Sequence, residues 1–366
     1  MRVLHVSRFF PPHMGGTERF VASLAAALAA RGVESEVVVT DRSRVGPGPV
    51  PPVPIVEMPV VGPERFPIIV GGWSLLDRAV RDADIVHLHD IRFGFHAVRR
   101  LAKRHRKPVL LTTHGLIFHT EAFSLVKSVL WRTVYRPALR SMEGVVAVSV
   151  ADEEFCRRAG IDDNLTTIEN PVDVAPFLDV TRDPVPGRLL YFGRFSPNKA
   201  IERMAGVLRA EEGLTLHLAG RGDAEYRSEL DRAFAAFGDR VRFVDAPTDA
   251  VLRAELGRCS SVVLPSRHEA FGLTMVEAMA AKVPIVANAI PPYQTLASGT
   301  GVELVDFDDP AQVAAAVRRN GTRYDPAPGF RRVADFGWDR GVEPYLALYR
   351  AAMEGSVTKG RRGDGR

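Results

Sequence analysis

Short apolar runs separated by helix-forming stretches recur in two series along this chain, and no other property narrows its fold as much. Runs at residues 3–7, 36–40, 85–89, 109–112 and 145–148 alternate with helical segments in the first half. A second series follows at 189–192, 214–218, 241–244, 262–264 and 285–287. Such alternation predicts parallel sheets covered by helices, an α/β architecture. Residues 16–31 give the clearest helix, with Phe20, Leu24, Ala27 and Leu28 recurring on one face and Gly32 as the stop. Proline-rich residues 47–67 are expected to form an irregular surface excursion. The hinge is placed after Asn170-Pro-Val-Asp-Val-Ala-Pro-Phe177, where the polar segment 179–187 separates the two series. Two domains are therefore expected, 1–178 and 179–335, with a helix at 336–354 carrying apolar Val342, Tyr345, Leu346, Leu348 and Tyr349. The tail, 355–366, lacks hydrophobic content and is expected to be disordered.

The 366 residues, 46% of them apolar, suffice for two buried cores. Cys156 and Cys259 stand far apart and in no metal-ligand pattern, which suits a reducing compartment. Residues 1–7 read as one strand rather than a signal peptide, and no apolar run approaches the roughly 20 residues of a membrane span. The expectation is a soluble, cytoplasmic protein. A net charge of +4, with basic concentrations at 99–107 and 359–362, fits nucleic acid, an anionic membrane surface or a phosphorylated substrate. With no zinc spacing, P-loop or aromatic RNA-binding pattern beside the charge, nucleic acid is set aside in favour of phosphate and membrane.

The chemistry concentrates in residues 265–287. The apolar run 262–264 leads through a turn into a helix-forming stretch that begins at Leu273, and ligands of open α/β sheets bind where a strand's C-terminal end meets a helix N-terminus. There the unpaired first-turn N–H groups and the helix dipole favour an anion, so a diphosphate would rest on the backbone of Gly272 and Leu273, with Phe271 beside them as a further donor-binding candidate. Glu277 lies roughly 7.5 Å along that helix, about the reach from a diphosphate to ribose hydroxyls. Glu269, before the helix, would face the sugar end of a nucleotide-sugar. Taken alone, this spacing also fits a solvated helix face plus a loop acid.

Transfer from a nucleoside diphosphate needs the leaving group's charge stabilised, by a metal or by fixed cations and N–H dipoles. The pairs Asp82/Asp84 and Asp306/Asp308 read as caps or turns rather than metal sites, whereas Arg194 and Lys199 follow a strand. No metal site is assigned, and no cofactor beyond the nucleotide-sugar co-substrate is expected. His114 ends the run 109–112 in Leu111-Thr-Thr-His-Gly115, and His87 and His89 also end a strand. In residues 121–140, Phe123, Val126, Leu130, Trp131 and Val134 mix with Lys127, Arg132, Arg136 and Arg140, a pattern that suits an anionic bilayer, a lipid-linked acceptor or a solvated face.

Together these stretches resemble glycosyltransferase family 4, over nearly the whole chain. The resemblance implies two facing Rossmann-like domains in the arrangement called GT-B, a catalytic cleft between them, a closing helix that crosses back onto the first domain, and transfer with retention of configuration. It implies that Glu269 and Glu277 belong to the donor site and that Arg194 and Lys199 clasp the diphosphate. Gly15 and Gly16, in Pro11-Pro-His-Met-Gly-Gly-Thr-Glu-Arg19, would approach the donor phosphates. Gly220, in Leu218-Ala-Gly-Arg-Gly-Asp223, would line the nucleotide pocket, and His114 would contact the donor sugar as a catalytic-site residue. Ala200 stands where the family usually has glycine, as does Ala270 after the first glutamate, and Pro171 replaces glycine in the usual Asn-Gly-Val-Asp. Residues 84–89, 113–120, 190–199, 266–272 and 290–293 are similar to GDP-mannose-dependent α-mannosyltransferases of xanthan-type exopolysaccharide assembly. That implies mannosyl transfer to a polyprenyl-diphosphate-linked oligosaccharide, with peripheral contact at the cytoplasmic membrane face. A UDP-sugar donor with another acceptor, a sugar-nucleotide epimerase of the same fold and a silent nucleotide-sugar sensor are the alternatives.

Overall fold

A computed structural model describes residues 1–13, 15–43, 52–64, 66–115, 129–222 and 224–355. Two compact units divide the chain, Met1–Pro171 with Trp338–Arg366 and Val172–Gly337. Residues 356–366 of the expected tail and 121–128 of the basic, aromatic stretch lie outside the described residues. The break falls earlier than residue 178, because Phe177 is only 4% exposed and the short helix Ala175–Leu178 packs within the second unit.

In the first unit the strands are β1 (Arg2–Val6), β2 (Glu34–Thr40), β3 (Ile55–Met58), β4 (Val60–Val61), β5 (Ile68–Ile69), β6 (Ile85–Leu88), β7 (Val109–Thr112), β8 (Gly144–Ala147) and β9 (Leu165–Thr167). Seven form one parallel sheet in the order β3-β2-β1-β6-β7-β8-β9, while β4 and β5 make a small antiparallel hairpin. The central strands are buried throughout, which is why they read as continuous apolar runs. Leu4 and Val6 of β1 point into one core layer and Val3 into the other. That second layer also holds Phe20 of the helix Gly16–Ala29 and Val342, Tyr345 and Tyr349 of the helix Trp338–Met353.

The second unit contains β10 (Arg188–Phe195), β11 (Thr215–Gly222), β12 (Val241–Asp245), β13 (Ser261–Leu264), β14 (Ile285–Asn288) and β15 (Glu303–Val305). They form a parallel six-stranded sheet ordered β12-β11-β10-β13-β14-β15. Strand order reverses between β1 and β6 in the first sheet and between β10 and β13 in the second. Such switch points, at the strands' C-terminal ends, are where doubly wound sheets hold ligands.

Five strands depart from the sequence expectation, β3, β4, β5, β9 and β15, and the two-residue strands of the β4–β5 hairpin are too short to show a period. β3 sits inside the proline-rich segment expected to be irregular. It is bracketed by Pro54 and Pro59 but pairs with β2 as the edge of the sheet, the position where flanking prolines forfeit no ladder bond. β9 and β15 are three-residue edge strands, too short to show a period.

Candidate functional site

At the switch point of the second unit, β10 runs into a loop carrying Lys199, and β13 runs into residues 265–272 carrying Glu269. Lys199 Nζ donates to Glu269 Oε1 at 2.5 Å. The same oxygen accepts from Ser266 Oγ at 2.9 Å and from the Tyr293 hydroxyl at 2.8 Å. Lys199 and Glu269 are 18% and 10% exposed in their side chains, so their attraction is weakly screened. Tyr293 is fully buried, and burial together with the neighbouring Glu269 charge pushes its hydroxyl well above the ordinary phenol range. It is therefore a fixed neutral donor. Tyr293 was not singled out from the sequence as a site residue. Its signal is a tyrosine in the first turn of a buried helix, whose hydroxyl must find a partner.

The loop is held from several sides. Asn198 O accepts from Arg267 N at 2.9 Å, and Asn288 Nδ2 donates to Ser266 O at 2.9 Å. Gly272 caps the helix Leu273–Ala280 at φ 115°, a left-handed conformation, and a Cβ there would lie 2.9 Å from Tyr293 Cε1. Glycine is required on both counts. Ala200 adopts φ 51°. This explains why glycine is usual there, and the alanine carries a strain of about 1–2 kcal/mol.

Other expected donor residues divide. Arg194 is exposed, and its guanidinium pairs with no carboxylate among the described residues. Glu277 is 9% exposed on the helix Leu273–Ala280, and Leu273 is half-buried at its start. Phe271 is 3% exposed, its ring edge-on to Phe336 at 5.6 Å, so only its backbone is open to a ligand role. Gly220 is buried opposite Gly193, and a Cβ on it would meet the Gly193 carbonyl oxygen. Close approach of β10 and β11 is what demands that glycine. Asp306 and Asp308 pair with Arg203, and Asp84 accepts from the backbone N–H of Arg2, which accounts for both acidic pairs as structural.

In the first unit Gly15 caps the helix Gly16–Ala29 in an extended conformation, and the 6%-exposed Glu18 folds its carboxylate back against it. His13 Nδ1 lies 3.3 Å from that carboxylate. His114 follows β7 at φ 46°, a strained conformation for a residue other than glycine. Thr113 beside it donates to the buried Asp152, which also accepts from Val148 N at 3.0 Å and so pins the end of β7 to β8. Burial lowers the His114 imidazole to about 4, against the opposing charges of Glu18 and Asp90.

Three buried histidines surround the half-buried His114: His5 on β1, His87 on β6 and His89 just past β6. Burial brings His5 down to about 3 and holds His87 and His89 well below the usual range. Among the described residues, His5, His87 and His89 are the one group of three ligand-type side chains close enough to share a metal, with ligand atoms within 4.8 Å of one another. Both nitrogens of His87 are engaged, by Tyr349 at 2.7 Å and Thr112 at 2.8 Å, and both of His89, by His5 and His114 at 3.1 Å each. Those bonds leave His87 and His89 no spare nitrogen for a metal ion and suit neutral rings.

Residues 14–176 match the family model described as Glycosyltransferase Family 4, and residues 186–320 the one described as Glycosyl transferases group 1. A GDP-mannose:cellobiosyl-diphosphopolyprenol alpha-mannosyltransferase of Xanthomonas oryzae pv. oryzae is 33% identical, over 96% of this chain and 97% of that protein. The enzymes of the same name from Xanthomonas campestris and Komagataeibacter xylinus are 32% and 31% identical, each over 96% of this chain and 97% and 94% of their own. Among solved structures, Anabaena HepE in complex with UDP and glucose superposes with a TM-score of 0.75 at 18% identity, covering 95% of this chain and 99% of that one. The sucrose-phosphate synthase of Thermosynechococcus elongatus gives a TM-score of 0.77 at 23% identity, over 97% and 100%. These two likenesses establish the fold.

Proposed function

The chain belongs to glycosyltransferase family 4 and is a hexosyltransferase, and from that premise we propose that it moves mannose from GDP-mannose onto a polyprenyl-diphosphate-linked glycan. The observation that carries the proposal is the cluster at the β10/β13 switch point. An exposed Arg194, a Lys199–Glu269 pair and a helix N-terminus opened by Gly272 meet there, a constellation matched to a nucleoside diphosphate bearing a sugar. The names of the relatives supply the donor and acceptor.

In this reading Arg194 and Lys199 face the diphosphate, with the backbone of Phe271, Gly272 and Leu273. Glu277 takes the ribose hydroxyls and Glu269 the sugar. Gly220 lines the nucleoside side through its backbone. On the first unit, Gly15 and Gly16 offer backbone N–H groups to phosphate, and His114 meets the transferred sugar. The acceptor oxygen bonds to the anomeric carbon as the bond from that carbon to the diphosphate oxygen breaks, on the same face. The acceptor's proton passes to the departing diphosphate, whose charge is met by fixed cations and backbone dipoles, with no metal required.

No helix among the described residues is long and apolar enough to cross a membrane. Peripheral contact is supported by Val61, Phe66, Ile68, Val70, Trp73 and Leu75, all 43–62% exposed on and after the β4–β5 hairpin. Apolar surface concentrated in this way marks an interaction site.

The test is turnover and binding with GDP-, UDP-, ADP- and TDP-sugars, with and without EDTA, on wild type, Glu277→Ala and Lys199→Ala. A GDP-mannose preference that survives EDTA and is lost in both variants is the expected result. A UDP-sugar preference overturns the donor assignment, and a new nucleotide-sugar formed without acceptor overturns transfer in favour of epimerisation.

A further inference from the structure

His5, His89 and His114 are linked end to end. His5 Nδ1 lies 3.1 Å from His89 Nε2, and His89 Nδ1 lies 3.1 Å from His114 Nε2. Among the described residues, His5 Nε2 is buried with no hydrogen-bond partner and His114 Nδ1 has none either. A neutral imidazole has one donor and one acceptor nitrogen. Each contact needs one of each, so the tautomers are not independent. Either all three rings carry the proton on Nε2, with His114 Nδ1 a free acceptor, or all three carry it on Nδ1, with His114 Nδ1 a donor. A mixed arrangement would set two lone pairs or two N–H groups against each other.

We propose that His89 and His5 are positioning residues that lock His114 as a neutral imidazole of single tautomer and present its Nδ1 to a hydroxyl of the transferred sugar. The choice of that hydroxyl as target rests on the family reading above. Among the described residues no acceptor lies beyond His5 Nε2, so they form no through-going proton relay. A proton entering at His114 Nδ1 and shifting along the chain would have to leave from a buried atom with no acceptor. Burial favours the uncharged state of every ring, as their lowered pKa values agree. The groups facing His114 are His89, the Phe20 ring edge-on at 4.7 Å and the charges of Glu18 and Asp90, whose pull toward protonation is outweighed by burial. His87 lies alongside, its ring centroid 4.1 Å from that of His89, and its own bonds to Tyr349 and Thr112 keep it out of the chain. The strained backbone of His114 places it where His89 can reach it, so ring and main chain are fixed together.

Two measurements test this. Long-range proton–nitrogen NMR on the wild-type protein with labelled histidine reads the tautomers directly and needs no activity. The expected result is three neutral rings of one shared tautomer, unchanged from pH 6 to 8. Different tautomers among them, or a ring titrating in that range, overturns the proposal. Stoichiometric bound metal with metal-shifted His5, His87 and His89 resonances overturns it as well, in favour of a metal centre. The second measurement is steady-state kinetics of His89→Phe and His89→Gln. With His114 Nε2 left unpartnered, His89→Phe should lose about tenfold or more in kcat with donor KM little changed, and His89→Gln, which can donate and accept, should recover much of it. Wild-type kcat in a folded His89→Phe overturns the positioning role. Absence of transfer in the wild type would instead count against the family reading and leave the tautomer result standing.

Discussion

Lys199 and Glu269, seventy positions apart in sequence, close an ion pair of 2.5 Å at the C-terminal ends of β10 and β13. The carboxylate oxygen that takes the lysine also takes Ser266 and Tyr293, so Glu269 is held from three directions. A diphosphate arriving at this loop competes for Lys199, and Ser266 and Tyr293 keep Glu269 in place when the lysine turns away. Lys199→Ala removes both the proposed phosphate contact and the carboxylate's counter-charge. We expect GDP affinity to fall about tenfold or more, with a measurably lower Tm. Calorimetric titration with GDP at two salt concentrations checks it, since wild-type binding should weaken with salt more than the variant's.

Tyr293→Phe separates positioning from charge. The ring and its packing stay, and a single donor to Glu269 is lost. We expect kcat to drop by about tenfold, corresponding to the roughly 1.5–3 kcal/mol of a hydrogen bond to a charged group, while nucleotide affinity holds. Equal losses in kcat and GDP binding would contradict this division of labour.

Gly272→Ala should damage stability and binding together. At φ 115° the new Cβ is strained, and it would press on Tyr293 and Leu296. A cost of about 1–3 kcal/mol is expected, read as a lower denaturant midpoint with unchanged slope.

His5 and its neighbours in the histidine cluster set an acid limit. Their folded pKa values are depressed, to about 3 for His5 and about 4 for His114, below the ordinary 6.5. Between those values and 6.5 the unfolded chain binds more protons than the folded one, so unfolding free energy rises with pH across that window. It falls on acidification from neutrality, by up to about 1.4 kcal/mol per pH unit for each ring. Above pH 7 these rings contribute no slope. Tm measured from pH 7.5 to 5 should therefore fall, and less steeply in His5→Phe than in wild type; parallel curves would refute the assignment.

The hairpin surface gives a separate expectation. Replacing Phe66, Ile68 and Trp73 by glutamate should reduce co-sedimentation with anionic vesicles while leaving donor binding intact, since all three are exposed. Vesicle binding equal to wild type would remove this patch as the contact.

The α/β architecture was legible because the central strands, buried on both faces, show as uninterrupted apolar runs. The first helix carries its own stop, Gly32 at φ 72° just past Gly16–Ala29. What failed to show was local and short. β3 hides between prolines, and β9 and β15 are edge strands of three residues whose pairing comes only from their neighbours. At the candidate site, Glu269 and Lys199 stood out as charges after strands, and the structure brings them into contact. Tyr293 did not stand out, because a buried aromatic reads as core until its hydroxyl's partner is known. Gly220, placed by the resemblance in the nucleotide pocket, meets a further demand that the sequence did not show, the close approach of Gly193 on the neighbouring strand.

The helix Trp338–Met353 has a consequence for how the chain is made. Its Val342, Tyr345 and Tyr349 complete the layer that Val3 and Phe20 begin, so the first unit is built from both ends of the described chain, while the second is one uninterrupted segment. On the ribosome, order of synthesis is then not order of completion. Residues 172–337 can reach their native state as soon as they emerge, whereas residues 1–171 wait, with part of one sheet face uncovered, until residues 338–353 have been made. Truncation before residue 338 should accordingly harm the part of the protein farthest from the cut in sequence, and chaperone engagement should peak late in synthesis rather than early.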